Sequence, residues 1–111
     1  MNLIWHYGPG EIRINDRSLK APLMVAPGFL QEQWIAAIEN LDVEALGPAW
    51  TLQPRIVLLG SAPPPAGRLK ELRALLAARQ VALEAMDLGA ACRTYNVLAQ
   101  EDRAVVALLF P

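Results

Sequence analysis

Arg55-Ile56-Val57-Leu58-Leu59-Gly60 is a continuous β-branched and apolar run, and it constrains the fold more than any other stretch of the chain. A strand with one wet face alternates polar and apolar residues. A strand with no polar face is covered on both sides, as in a parallel sheet lined by helices. The residues C-terminal to it meet that demand. Arg68 to Arg79 places Leu69, Leu72, Leu75 and Leu76 on one helical face, and Val81 to Met86 reads as the next strand. A helix then runs from the Asp87 turn to Leu98 or Ala99, and Arg103 to Phe110 is a last apolar strand. Residues 54–111 are thus expected to form strand–helix–strand–helix–strand. The first two strands are joined by a right-handed parallel crossover, and the direction of the last is open.

The first half has a different texture. Leu3 to Tyr7 stops at Gly8-Pro9-Gly10, Glu11-Ile12-Arg13-Ile14 alternates, Asn15-Asp16 is a turn, and Leu23 to Ala26 closes at Pro27-Gly28. Residues 1–28 therefore read as a β-meander of three or four strands. Trp34, Ile35, Ile38 and Leu41 recur at helical spacing, which predicts a helix over 31–41. Asp42 is placed to cap a short second helix over 43–46 that ends at Gly47-Pro48. The fold class expected is α/β: one three-layer domain over 1–111, with a central mixed sheet, flanking helices (those of 29–53 among them) and the meander packed on one side. A chain of 111 residues, 54% apolar and 19% charged, fits one well-buried core and is not the composition of a disordered segment.

Composition also narrows function. A net charge of −1 without any basic run gives no field for nucleic acid. Only one cysteine is present, which excludes an internal disulfide. The N-terminus lacks a signal-peptide pattern, and no apolar run reaches the ~20 residues of a membrane-spanning helix. The expected address is cytoplasmic, without membrane insertion.

The chemistry-bearing residues gather around the Asp87 turn. Ligands in open α/β sheets bind outside the carboxyl ends of parallel strands. That rule brings Ser61 and Asp87 to one edge, with Cys92, Arg93 and Asn96 behind them on the next helix. These five form the candidate binding cleft. Each has a structural reading too. Asp87 can cap the helix, Arg93 can pair with Asp87 or Glu84, Tyr95 and Asn96 can tie the helix to the N-terminal strands, and Cys92 can be a small buried hydrophobe. No catalytic residue is assigned. Ser61 lacks the Gly-x-Ser-x-Gly turn, and the one histidine, His6, lies in the first strand with no acidic neighbour in sequence. No metal-ligand set and no glycine-rich phosphate loop is present, so no cofactor is expected. Trp5, Trp34 and Trp50 read as packing, unless one is exposed beside Phe29 and marks a partner surface.

Leu58-Leu59-Gly60, Met86-Asp87, the run Ala90-Ala91-Cys92-Arg93-Thr94-Tyr95-Asn96 and Glu101-x-Arg103 carry a resemblance that extends to Ile12-x-Ile14-Asn15 and Trp34. The chain resembles the small domain-of-unknown-function family shared with mitochondrial respiratory complex I assembly factor 3 and an adipogenesis-associated relative, many of whose members are uncharacterised bacterial proteins. The resemblance implies a three-layered fold and an assembly-factor-like module that binds a protein partner and is not an enzyme. The alternative is a small-ligand-binding or catalytic protein using the Ser61, Asp87 and Arg93 edge. The chain departs from the family pattern at Ser61-Ala62, in place of a Gly-Thr-Gly-like turn, and at Gln80, where the family favours glycine.

Overall fold

The computed structural model describes residues 1–20 and 22–111. Strands β1 (Ile4–Gly8), β2 (Glu11–Ile14) and β3 (Arg17–Leu19) make an antiparallel three-stranded sheet in that order. Then come β4 (Leu23–Ala26), β5 (Phe29–Gln31), a short helix α1 (Gly47–Thr51), β6 (Ile56–Gly60), α2 (Ala66–Ala77), β7 (Ala82–Met86), α3 (Leu88–Gln100) and β8 (Val105–Leu109). The larger sheet has the order β5-β4-β8-β6-β7. β6 is parallel to both β7 and β8, whereas β4 is antiparallel to β8 and β5. The last strand therefore enters the middle of the sheet, parallel to β6, after the α3 crossover.

Alternation along the central strands divides the interior into two cores. Leu23, Val25, Leu58, Val105, Ala107 and Leu109 face α3 and the three-stranded sheet, where they meet Ile4, Ile12, Ile14, Ala91, Cys92 and Tyr95. Met24, Ala26, Val57, Leu59, Val106 and Leu108 face the other way, against Leu41, Leu46, Ala49, Leu72 and Leu76. The uninterrupted apolar strands are thus buried on both faces, each large side chain contributing roughly 1.5–3 kcal/mol on leaving water. This is the expected mixed-sheet α/β architecture in three layers.

Three expectations about the first half are corrected. Leu23–Ala26 does not complete a four-stranded meander. All four of its residues are buried, and a strand with two apolar faces is accommodated only inside the larger sheet. The helix expected over 31–41 does not form. Gln31 pairs with Met24 in the hairpin around Pro27-Gly28, Gln33 has φ +52°, and only Ile38–Asn40 makes a 3-10 turn. A left-handed residue two positions into the segment stops helix propagation. The apolar residues still turn inward: Trp34 donates from Nε1 to Ala45 O at 2.7 Å and lies 6.1 Å from the Phe110 ring centroid. Asp42 does cap, with Oδ1 accepting from Ala45 N at 2.8 Å, but over a turn. The helix itself begins at Gly47, with Pro48 in its first turn, where a missing N–H is harmless.

Helices α2 and α3 end alike. Gln80 N donates to Ala77 O at 2.9 Å and Val81 N to Leu76 O at 3.0 Å, while Asp102 N donates to Ala99 O at 3.2 Å and Arg103 N to Leu98 O at 2.9 Å. These are Schellman closures, and the residues at the left-handed position are Gln80 (φ +61°) and Asp102 (φ +57°). Gln80→Gly should stabilise the protein by up to ~1 kcal/mol by relieving the left-handed Cβ penalty, read as a higher urea midpoint with unchanged slope.

Candidate functional site

The strand rule holds for part of the candidate cleft. Ser61 follows β6 and Asp87 follows β7, and Ser61 N donates to Met86 O at 3.2 Å, so both strand ends meet. Ser61, Pro63, Pro64, Leu69, Met86 and Asp87 line a cleft of about 340 Å³. Its walls are mainly apolar, and its polar groups are already engaged. Ser61 Oγ donates to Ala62 O at 2.8 Å, and Asp87 Oδ1 accepts from Ala90 N at 2.8 Å as the N-cap of α3. Asp87, the one carboxylate that lines the cleft, is committed through Oδ1 to capping α3.

The other three candidates point elsewhere, toward the three-stranded sheet. Asn96 Oδ1 accepts from Ile4 N at 2.9 Å and Asn96 Nδ2 donates to Ile4 O at 2.7 Å. The side-chain amide thereby extends the ladder of an edge strand at the point where β1 is irregular, the register shifting between Ile4 and His6. Arg93 donates to the Tyr7 hydroxyl and its guanidinium carbon lies 5.8 Å from the Tyr7 ring centroid. Among the described residues no ion pair joins Arg93 to Asp87 or Glu84, so the expected pairing with either is corrected. The reason is steric as well as electrostatic. Gly89 lets the Tyr7 ring lie on the first turn of α3, where an added Cβ would stand 2.7 Å from Tyr7 Cε2, and the ring then offers Arg93 both a π face and an oxygen.

Tyr95 completes the joint. It is fully buried, and its hydroxyl donates to Asn2 O at 2.8 Å. Burial pushes its phenol well above the usual tyrosine range. Asn2 in turn donates from Nδ2 to Ala26 O and Phe29 O, both at 3.0 Å, and accepts on Oδ1 from Asn15 Nδ2 at 3.2 Å. So Asn2, Ile4 and Tyr7 meet Tyr95, Asn96 and Arg93 in three rungs that fasten α3 to the N-terminal strand. The expected tie through Tyr95 and Asn96 is present. Sequence reasoning misses Asn2 and Tyr7, because nothing local distinguishes a terminal Asn that closes on residues 13 to 93 positions away.

Cys92 sits inside the same core at 1% exposure. Burial raises its thiol to about 11, against a smaller opposing pull from the Arg93 charge. It is a packed hydrophobe and not a poised nucleophile. The folded protein holds this proton more tightly than the unfolded chain, so the sign is fixed: its contribution is intact below about pH 9 and is lost as pH rises through about 11. Cys92→Ala should flatten that part of the pH–stability curve, measured by urea midpoint. Iodoacetamide at pH 8 should label the wild type only after unfolding.

Among the described residues, no cluster of His, Cys, Asp and Glu could hold a metal ion, and no helix is long and apolar enough to cross a membrane. Of the tryptophans, Trp5 is the exposed one, at 67%. It stands on β1, whereas Phe29 packs against the opposite core.

Comparison with known proteins agrees with this architecture. NADH dehydrogenase [ubiquinone] 1 alpha subcomplex assembly factor 3 of Danio rerio is 29% identical over 111 residues, covering 98% of this chain and 64% of the fish protein. The chain thus spans somewhat less than two thirds of that relative. The solution structure of a Xanthomonas campestris protein superposes with a TM-score of 0.83 at 27% identity, covering 99% of this chain and 84% of the other. A Bordetella pertussis protein described as an Mth938-like domain gives a TM-score of 0.73 at 25% identity, covering 99% and 85%. The family model described as protein of unknown function (DUF498/DUF598) matches residues 4–110, and the chain belongs to that family.

Proposed function

We propose that the chain is a non-enzymatic protein-interaction module of the assembly-factor kind, and that its partner meets it at Trp5. One observation carries this reading: a tryptophan left 67% exposed on a strand whose neighbouring residue, Ile4, has both its N–H and its C=O held by the Asn96 side chain. An exposed indole on mobile backbone would be incidental. On rigid backbone it is the kind of anchor that dominates interface energetics, because little ordering entropy remains to be lost on binding. Similarity to an assembly factor supports a protein as the occupant. A photo-cross-linking benzoylphenylalanine at position 5, incorporated in the host cell, should yield a discrete protein adduct. The same probe at exposed Lys70, on α2, should not. Equal adduct patterns at both positions would refute the reading.

A second reading rests on the Ser61–Asp87 cleft, whose volume of about 340 Å³ lies in the range of small-molecule pockets and whose walls suit an apolar ligand. Saturable thermal stabilisation by a metabolite, abolished in a folded Leu69→Trp variant that fills the cleft, would favour it.

A further inference from the structure

At the opposite edge of the large sheet, the amino ends of the parallel strands carry a different chemistry. Arg55 precedes β6, Arg79 and Gln80 precede β7, and Arg103 precedes β8. Trp50, Gln53, Pro54, Arg55, Arg79 and Gln80 bound a hollow of about 380 Å³ at this end. We propose that this hollow binds an oxyanion, the carboxylate or phosphate group of a small molecule.

Every polar side chain around it is a hydrogen-bond donor, and none is an acid. Among the described residues neither Arg55 nor Arg79 has a carboxylate within 4.0 Å. Arg79 is nevertheless held in place, its guanidinium carbon 4.4 Å from the Trp50 ring centroid. Stacking fixes the plane of the fork while leaving its N–H groups free for an anion. The Trp50 indole N–H is buried and has no acceptor, whereas the corresponding group of Trp34 is bonded. A buried donor without a partner is unfavourable unless an acceptor reaches it. The carbonyls at the end of α2 do not use these donors, since the Schellman closure satisfies them with backbone N–H groups. Asp102, with Arg103 and Arg55, lines an adjoining hollow. With Glu101 beside Asp102 in the same turn before β8, the edge carries three arginines against two acids, and the balance stays positive. The walls combine planar cations, amides and an indole, the set that grips carboxylate or phosphate oxygens in several directions.

The test monitors the Trp50 indole N–H resonance by two-dimensional NMR while inorganic phosphate, then citrate, is added at millimolar concentration, with sodium chloride at matched ionic strength as control. The expected result is a saturable shift with phosphate or citrate and none with chloride, and an apparent affinity roughly tenfold or more weaker in Arg55→Gln and Arg79→Gln, as loss of a charged hydrogen bond requires. Response to phosphate alone assigns a phosphate ester, and response to citrate alone assigns a carboxylate. If Arg79→Gln perturbs folding through loss of the Trp50 contact, the exposed Arg55→Gln carries the comparison. A shift that does not saturate, that chloride reproduces, or that the folded Arg55→Gln variant retains at wild-type affinity would overturn the proposal.

Discussion

Tyr95→Ala should lower unfolding free energy by about 3–5 kcal/mol, the range for deleting a buried aromatic ring. Tyr95 lies in the centre of the core between the large sheet, α3 and the small sheet, at 0% exposure, and its hydroxyl is bonded to Asn2 O. The loss divides into two parts that a second variant separates. Tyr95→Phe keeps the ring and removes only the hydroxyl bond, so it should lose roughly 0.5–1.5 kcal/mol. Small domains have about 5–15 kcal/mol in all, so the alanine variant should unfold at a much lower urea concentration and the phenylalanine variant slightly below wild type. If the two variants were equally destabilised, the ring would not be the packing element described.

Asn96→Ala should be nearly as harmful, at roughly 2–4 kcal/mol, although it deletes only an amide. Removing it leaves both the N–H and the C=O of Ile4 without their partners, at a residue that is 5% exposed. Each orphaned backbone group costs about 1–3 kcal/mol. Asn96→Asp should not rescue, because a carboxylate cannot donate to Ile4 O and would face it with negative charge. A residue that served only to line a ligand cleft would behave otherwise: its substitution at the surface would stay within about ±0.5 kcal/mol. Equilibrium urea unfolding monitored by circular dichroism distinguishes these outcomes.

The two halves of the chain differ in how legible they are. From Ile56 onward, each element is specified by its own residues: the unbroken apolar strands β6 and β8, an amphipathic α2, and Asp87 three residues before the amide it caps. The direction of β8 is open in the sequence, because a turn as short as Gln100 to Asp102 allows either sense. Its parallel register with β6 is decided by the tertiary structure. In the first half, Trp34, Ile35, Ile38 and Leu41 have the right spacing for a helix and are drawn into the core, but the β4–β5 hairpin claims Gln31 and the left-handed Gln33 interrupts the segment just after it. Periodicity reports which residues face inward and misreports the backbone that brings them there.

The candidate site shows the same division. The rule about strand ends correctly brings Ser61 and Asp87 together. Arg93 and Asn96 share a helix face, as their spacing of three demands, yet that face turns toward β1, and no local pattern announces a partner 86 or 92 positions away. Polar residues crowded on one helix are as well suited to joining two sheets as to holding a ligand. The left-handed backbone at Gln80 is a case where a departure from the family's glycine can be read in advance as strain.

The central claim is that the Ala90–Asn96 run is a joint between α3 and the N-terminal strand. Its most direct test is amide hydrogen exchange at Ile4, whose N–H donates to Asn96 Oδ1 and is only part-buried. In wild type this amide should be protected nearly as well as the core amides of β2, and in Asn96→Ala its protection should fall selectively while that of α3 persists. Rapid exchange at Ile4 in the wild-type protein, or protection unchanged by Asn96→Ala, would contradict the account.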